Sequence, residues 1–578
     1  MFIKRNRSNQ GGKQYNSVLL VKGEREEVRA KRGRPKKGSR RATRVVHRTM
    51  ANLSRLPDEL VEIIEKWCRG DLPEPCATAA QSAPRAPGTR PPAPGATHLR
   101  MGPCYGVLAG LHALAKQAGL VEALGPGRMA KLALFLIYAR VARQGSRLAA
   151  VRWAEDHALA EVLGLETLDE DDLYEALEWL QTNQQRIEKA LAPKPTPGMF
   201  FLYDVTSSYF EGQCNELAAY GYNRDGKKHK KQLVAGLLTD ENGEPISIRA
   251  HPGNTSDPTT LAPVVQRVRE DFAPDTPEVV LVGDRGMIKS KGIAQLNAAG
   301  MRYISALTDA QTLKLIRQKV IDPELFDETA ADIAHEGRRL ILRLNPAMRE
   351  RDRQRRDDQE KRLREHLAKG NQHLREHPRA KTATLLKKMR VKITRHRFNS
   401  WLEAREENRE VRLERDEPAR EQAGLLDGCY TLVTDLPAQT CATAKVCERY
   451  LSLQKVERDI RALKTGQLEI RPIYLRKAAR TEGHALVTML ALKLTRRLDA
   501  LAAPEGLTVD DMIERLGGVR LVRLGPEEMG LWRLPDAYQA AQQQVLDRLP
   551  PLAPPKLSLK KVVKRRLENP RKGRPSPL

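Results

Sequence analysis

The sequence predicts an α/β protein: a mixed sheet, preceded by a helical block and interrupted by a long charged one. Three observations predict it. Short apolar runs, divided by turn signals and a crossover, fall between residues 199 and 307. Apolar residues recur at helical spacing between 104 and 192. From about 310 to 425 charge dominates, and strand and helix patterns resume after it.

At 578 residues several domains are expected. A hydrophobic share of 40% supplies a core, while 4% aromatic and 30% charged residues point to a helix-rich chain with solvated segments. The net charge is +27, and its location matters more than its size. Residues 1–50 hold 16 Lys/Arg against 3 Glu, and residues 551–578 hold 9 against 1, so the ends carry 21 of the 27 charges. Basic ends on a balanced body read as nucleic-acid-binding arms, with solubility tails as the alternative. Seven scattered cysteines make no CxxC pair, which predicts a reduced, intracellular protein without structural zinc. The stretch MFIKRNRSNQ lacks an apolar h-region, and LVTMLALKL (486–494) is too short to span a bilayer, so neither a signal peptide nor a membrane partner is expected. No Walker-type phosphate loop occurs, which argues against ATP use.

In order along the chain, Val18–Val21 predicts a short strand. Arg32-Gly33-Arg34-Pro35, with Lys36 and Lys37 after it, resembles the core of an AT-hook, as does Lys572-Gly573-Arg574-Pro575. Arg32 and Arg34 would then enter an A·T minor groove; plain phosphate attraction is the alternative. Residues 51–68 predict a helix, and the Pro/Ala-rich run 72–97 a linker. The acidic run Asp169–Asp172 reads as a helix start rather than a metal site. Met199–Val205, Lys231–Asp240, Pro245–Ala250, Val279–Val282 and Arg302–Leu307 predict strands, with Glu241-Asn242-Gly243 as a hairpin turn and Lys291–Ala299 as a helix. The block from about 310 to 425 reads as charged helices that cannot bury a core alone. Cys429–Thr434, a helix over Ala478–Ala502 and a late strand Val519–Leu524 complete the reading.

Three acids stand out. Asp204 interrupts an otherwise apolar strand, where an unpaired carboxylate is expensive. Asp284 ends VVLVGD, with glycines on either side of the Asp284-Arg285 pair. Glu457 lies in YLSLQKVERDIRALK (450–464), read as one helix; Tyr450, Glu457 and Lys464, seven apart, form one stripe. Leu453, Val456, Ile460 and Leu463 form a second, apolar stripe beside it. Each acid alone also reads as a turn, cap or salt-bridge residue. Together, carboxylates on two strands and a helix suit Mg²⁺ or Mn²⁺.

The spacing Tyr450, Glu457, Lys464 resembles the Y-x2-R-x3-E-x6-K signature of IS4-type DDE transposases. The run VERDIRALKTGQLEIRPIY, with FFLYDVTSSYFEG, KQLVAGLLTDENGEPISI, HPGNTSD and LVGDRGM, resembles the IS1634 branch in particular. The resemblance implies an RNase H-like catalytic domain with a mixed sheet, interrupted by a charged helical insertion and preceded by a helical domain. It implies Asp204, Asp284 and Glu457 as catalytic residues and ligands of Mg²⁺ or Mn²⁺, with Tyr450 and Lys464 on the phosphates of the transposon ends. The Arg of the signature is Leu453 here, and Arg458 or Arg461 would substitute. The implied organisation is a basic arm (1–70), a linker (71–100), a helical DNA-binding domain (101–195), a catalytic domain in two parts (199–309 and 426–545) around the insertion (310–425), and a basic disordered tail (546–578). The implied function is DNA transposition of an insertion sequence, with terminal repeats and target DNA as partners, a homodimer on DNA, and a cytoplasmic, nucleoid-associated location. A non-cutting DNA-binding derivative and a structure-selective nuclease are the alternatives. Lys227–Lys231 reads as a phosphate-binding or solvated loop. Arg285 reads as an ion-pairing or phosphate-holding group, and Trp401 as a packing residue or a platform for a flipped base.

Overall fold

A computed structural model describes residues 2–10, 13–27, 43–52 and 99–555, less 213, 228, 465–467, 469, 471–472 and 525–531. The chain divides into two compact units, Met1–Gly95 and Ala96–Leu578. The first holds an antiparallel sheet of β1 (Phe2–Gln10), β2 (Lys13–Glu27) and β3 (Thr43–Asn52). The strand expected at 18–21 lies inside β2. The helix expected over 51–68 begins on the last two residues of β3, where β-branched Thr43, Val45, Val46 and Thr49 favour a strand. The rest of that helix, the linker, Arg32, Arg34 and residues 556–578 lie outside the described residues.

The second unit opens with β4 (Leu99–Cys104), then helices of which Arg128–Ala142 and Glu170–Leu191 are the longest. Asp169 and Asp172 cap the latter reciprocally, each side chain accepting from the other's backbone N–H, so the acidic run starts a helix. The main sheet follows: β5 (Phe200–Tyr209), β6 (Gln232–Thr239), β7 (Pro245–Pro252), β8 (Val280–Gly283), β9 (Arg302–Ala306), β10 (Ala331–His335) and β11 (Arg338–Leu344). A small hairpin, β12 (Leu402–Glu407) and β13 (Glu410–Arg415), precedes β14 (Cys429–Thr434). The eight-stranded order is β10-β11-β14-β9-β8-β5-β6-β7, with β8 parallel to β5 and β9 and the other pairs antiparallel. Late in the chain β15 (Arg520–Leu524) pairs with β4 and with β16 (Trp532–Arg533).

The charged block departs from its expected all-helical form in two ways. Its first part supplies β10 and β11 to the main sheet, because Leu340, Ile341 and Leu342 are buried between neighbouring strands despite their charged flanks. Its helices, Pro346–Glu376 and Thr382–His396, do bury a small core. Leu363, Leu374, Met389, Ile393, Phe398 and Trp401, too sparse on any one element, pool their apolar surface across two helices and the β12–β13 hairpin.

Alternation along β5 orients the site. Phe201, Tyr203 and Val205 face one core with the helix Leu261–Arg267. Phe200 and Leu202 face the other, which continues through the helical block and the helix Ala478–Ala502. Asp204 falls on this second side. Among the described residues no helix is long and apolar enough to cross a membrane.

Candidate active site

Strand register brings the first two acids together. β5 and β8 run parallel with Phe200 opposite Val280 and Tyr203 opposite Gly283. The next step along both strands is Asp204 and Asp284, on neighbouring strands roughly 4.8 Å apart. Each carboxylate accepts the N–H of the following residue at 2.7 Å, Val205 for Asp204 and Arg285 for Asp284.

Glu457 comes from the helix Leu453–Lys464. The single helix expected over 450–464 is broken at Ser452, where the helix Thr443–Leu451 ends. The Ser452 hydroxyl and backbone N–H both donate to the Glu448 carbonyl at 3.0 Å, so the first helix closes on Ser452 as its C-cap. The apolar stripe holds: Leu453, Val456, Ile460 and Leu463 are buried, leaving Glu457 exposed at its edge. Two contacts fix this helix. Asp459, buried, pairs with Arg496 at 3.2 Å, and Arg496 also reaches Glu244 and the Gly243 carbonyl. Lys455 donates to the Glu241 carbonyl at 3.0 Å. Gly243, at φ 79°, lies so close that a Cβ there would stand 2.8 Å from the Lys455 Cβ. The hairpin turn between β6 and β7 is thus the seat of the helix that carries Glu457.

Asp204, Asp284, Tyr450, Leu451, Leu453, Gln454 and Glu457 line one cavity of about 210 Å³. Burial, and then the negative charges of Asp284 and Glu457, push the Asp204 carboxyl up to about 6, against the Val205 N–H and the charge of Arg224. The Tyr450 hydroxyl donates to Asp284 Oδ1 at 3.4 Å, and burial beside Asp284 raises its pKa. Among the described residues three carboxyls and no basic side chain line this cavity, a donor set that fits a hard, oxygen-seeking dication. Among the described residues no three His, Cys, Asp or Glu side chains are grouped to hold one ion together. Mg²⁺ requires less, since it is usually bound through one or two carboxylates with water and substrate phosphates. A second cavity of about 260 Å³ shares Asp284 and Tyr450 and adds Arg285, Asp309, Tyr430 and Thr431.

The other candidate residues are spread around the acids. Lys464 Nζ pairs with Asp225 at 3.1 Å, a nearly buried pair, and Asp225 also accepts the Tyr209 N–H at 3.1 Å. Asp225 was not singled out from sequence; its one signal is its place in RDGKKHKK, 239 residues from its partner. Arg458 and Arg461 are exposed on the Glu457 helix. Arg285 is exposed and pairs with Asp309 at 3.2 Å. Trp401 is buried against Phe398, with ring centroids 4.5 Å apart, and under the Arg420 guanidinium. Of its two readings, the structure favours packing.

The family model described as "Transposase DDE domain" matches residues 195–494, a span that contains Asp204, Asp284 and Glu457. No curated protein matches the chain. Among solved structures, the cryo-EM structure of a piggyBac transposase synaptic complex with hairpin DNA aligns with 8% identity and a TM-score of 0.35, covering 71% of this chain and 76% of that one.

Proposed function

The chain belongs to the transposase DDE-domain family, and we propose that it is the active transposase of an insertion sequence. In this reading it binds the element's terminal repeats, cuts the ends and joins the 3′-hydroxyls to target DNA. Asp204, Asp284 and Glu457 are its catalytic acids. The observation that carries this is their convergence, from adjacent strands and a late helix, on one cavity that has no basic side chain among the described residues. The order β7-β6-β5-β8-β9, two antiparallel pairings and then two parallel ones, supports an RNase H-like sheet. The motifs around 199–307 and 450–476 support the IS4 type and its IS1634 branch.

These acids, one or two to an ion, would hold Mg²⁺ or Mn²⁺, which would supply activation of a water or 3′-hydroxyl and stabilisation of the leaving oxygen. The chain's own groups prepare for that. β5 and β8 hold two carboxyls in register. The Tyr450 hydroxyl steadies Asp284, and the Asp459–Arg496 pair anchors the Glu457 helix. Leu451 and Leu453 give the cavity an apolar wall. The helical block and the basic ends would carry the contacts to DNA, and holding two ends at once calls for a homodimer on DNA.

The test is cleavage of labelled duplexes from the DNA that flanks the coding sequence, with Mg²⁺ and a plasmid target. Asp204→Asn, Asp284→Asn and Glu457→Gln should each lower cutting by more than the roughly 10–100-fold that loss of a ligand's supporting hydrogen-bond partner costs. Variants that still cut would end the site assignment. Cut ends that never join the plasmid would favour a structure-selective nuclease, and binding without cutting a non-catalytic derivative.

A further inference from the structure

Among the described residues the exposed large apolar side chains include three aromatics, and all three gather beside one loop. Tyr220 and Tyr222, 67% and 84% exposed, lie on the loop 211–231 between β5 and β6. Tyr474, 66% exposed, follows Ile473, whose carbonyl accepts the Glu211 N–H at 3.1 Å.

The loop is held, not loose. Ala219 and Gln232 exchange backbone hydrogen bonds, and Gln232 Nε2 donates to the carbonyls of Tyr222 and Gly253 at 3.1 and 2.8 Å. Gly221 packs so tightly on Gly253 that a Cβ would lie 2.1 Å from the Gly253 carbonyl oxygen. Gly253 belongs to the HPGNTSD motif, which thereby acts as a seat for the segment between the two tyrosines.

Charge completes the surface. The loop's three carboxylates are engaged: Glu211 by Lys230, Glu216 by the Ala478 N–H and Asp225 by Lys464. Lys227 and Lys231 have no carboxylate partner among the described residues and stand 5.7 and 6.0 Å from the ring centres of Tyr209 and Tyr220. Cations interleaved with exposed rings suit a polyanion with stackable bases. The loop also reaches the acids. Asp225 of the loop pairs at 3.1 Å with Lys464, the last residue of the helix that carries Glu457.

We propose that Tyr220, Tyr222 and Tyr474, with Lys227 and Lys231, form a platform for the unpaired bases of a DNA strand entering or leaving the acidic cavity. This rests on the DNA reading of that cavity, but it concerns binding, so it is tested without catalysis. The full chain is titrated in EDTA, at about 0.3 M salt to suppress sequence-independent phosphate attraction, with two probes. One is a blunt duplex and the other the same duplex carrying a single-stranded flap with 2-aminopurine. The wild type should prefer the flap and quench the 2-aminopurine. Tyr220→Ala with Tyr222→Ala should lower flap affinity roughly tenfold and abolish the quenching, while the paired Phe substitutions keep both. Blunt-duplex affinity should change less than about twofold, because phosphate contacts dominate it. An unchanged flap affinity in the Ala variant, or an equal loss on both probes, would overturn the platform. A wild type that shows the Tyr-dependent preference but never cuts sinks the catalytic reading alone. One that cuts without that preference sinks the platform alone.

Discussion

Replacing Asp204 by Asn should make the metal-free protein more stable while removing its proposed activity. Asp204 sits on β5 between buried Tyr203 and Val205. Burial, then the charges of Asp284 and Glu457, raise its carboxyl from the ordinary 3.8 to about 6. The folded value lies above the unfolded one, so ionisation opposes folding. The penalty is absent below about 3.8, grows as pH rises, and is complete above about 6. That interval corresponds to roughly 3 kcal/mol. Asparagine has the same shape and keeps an oxygen for the Val205 N–H, but carries no charge. With an unfolding entropy of about 2.1 cal/mol/K per residue, about 3 kcal/mol moves the melting point of a unit the size of Ala96–Leu578 by about 3 °C. Scanning fluorimetry in EDTA should find the Asn variant about 3 °C above the wild type at pH 7.5, with the gap falling to about a third at pH 4.5. Millimolar Mg²⁺ should raise the wild type more than the variant. A variant that melts at or below the wild type at pH 7.5, or a gap that ignores pH, refutes the reasoning.

Two further substitutions probe the supports of the site. Trp401→Ala should cost the small core of the charged block about 3–5 kcal/mol, seen as faster limited proteolysis there, whereas Trp401→Phe should retain most of the resistance. A Trp401→Ala chain that resists protease normally but fails to cut DNA would restore the base-stacking role. Gly243→Val places a β-branched side chain at a positive φ and against Lys455, so it should lower stability by about 2 kcal/mol or more. Cutting should fall with it as the Glu457 helix shifts. Unchanged melting and cutting together would show that the turn is not the seat of that helix.

What was legible in the sequence was what local pattern encodes. Asp204 stood out because a charge inside an apolar strand demands a reason. The spacing of Leu453, Val456, Ile460 and Leu463 identified the buried face of the Glu457 helix, and all four are buried. The illegible parts depend mostly on pairings far apart in the chain. Nothing in VVLVGD discloses that β8 lies parallel to β5 in the register that sets Asp284 beside Asp204. The break at Ser452 leaves no mark in the apolar spacing, which begins at Leu453 on the second helix. β10 and β11 were hidden because composition averages charge over a window, whereas a strand needs only a few buried residues with the right neighbours.

Leu453, where the signature has Arg, shows how the site keeps its negative charge. Its side chain is 7% exposed and lines both the cavity and the core. The neighbouring cations are drawn elsewhere: Lys464 to Asp225, Arg496 to Asp459, Arg285 to Asp309 and Arg224 to Asp257. None of them lines the acidic cavity. An Arg at 453 would put a guanidinium beside the three carboxylates, where it would stabilise their charged forms and compete with any other cation. The apolar residue adds no such charge, and burial, then the charges of Asp284 and Glu457, keep the Asp204 carboxyl raised. Among the described residues the acidic cavity is therefore lined by carboxyls without a basic side chain, a setting suited to the dication proposed for it.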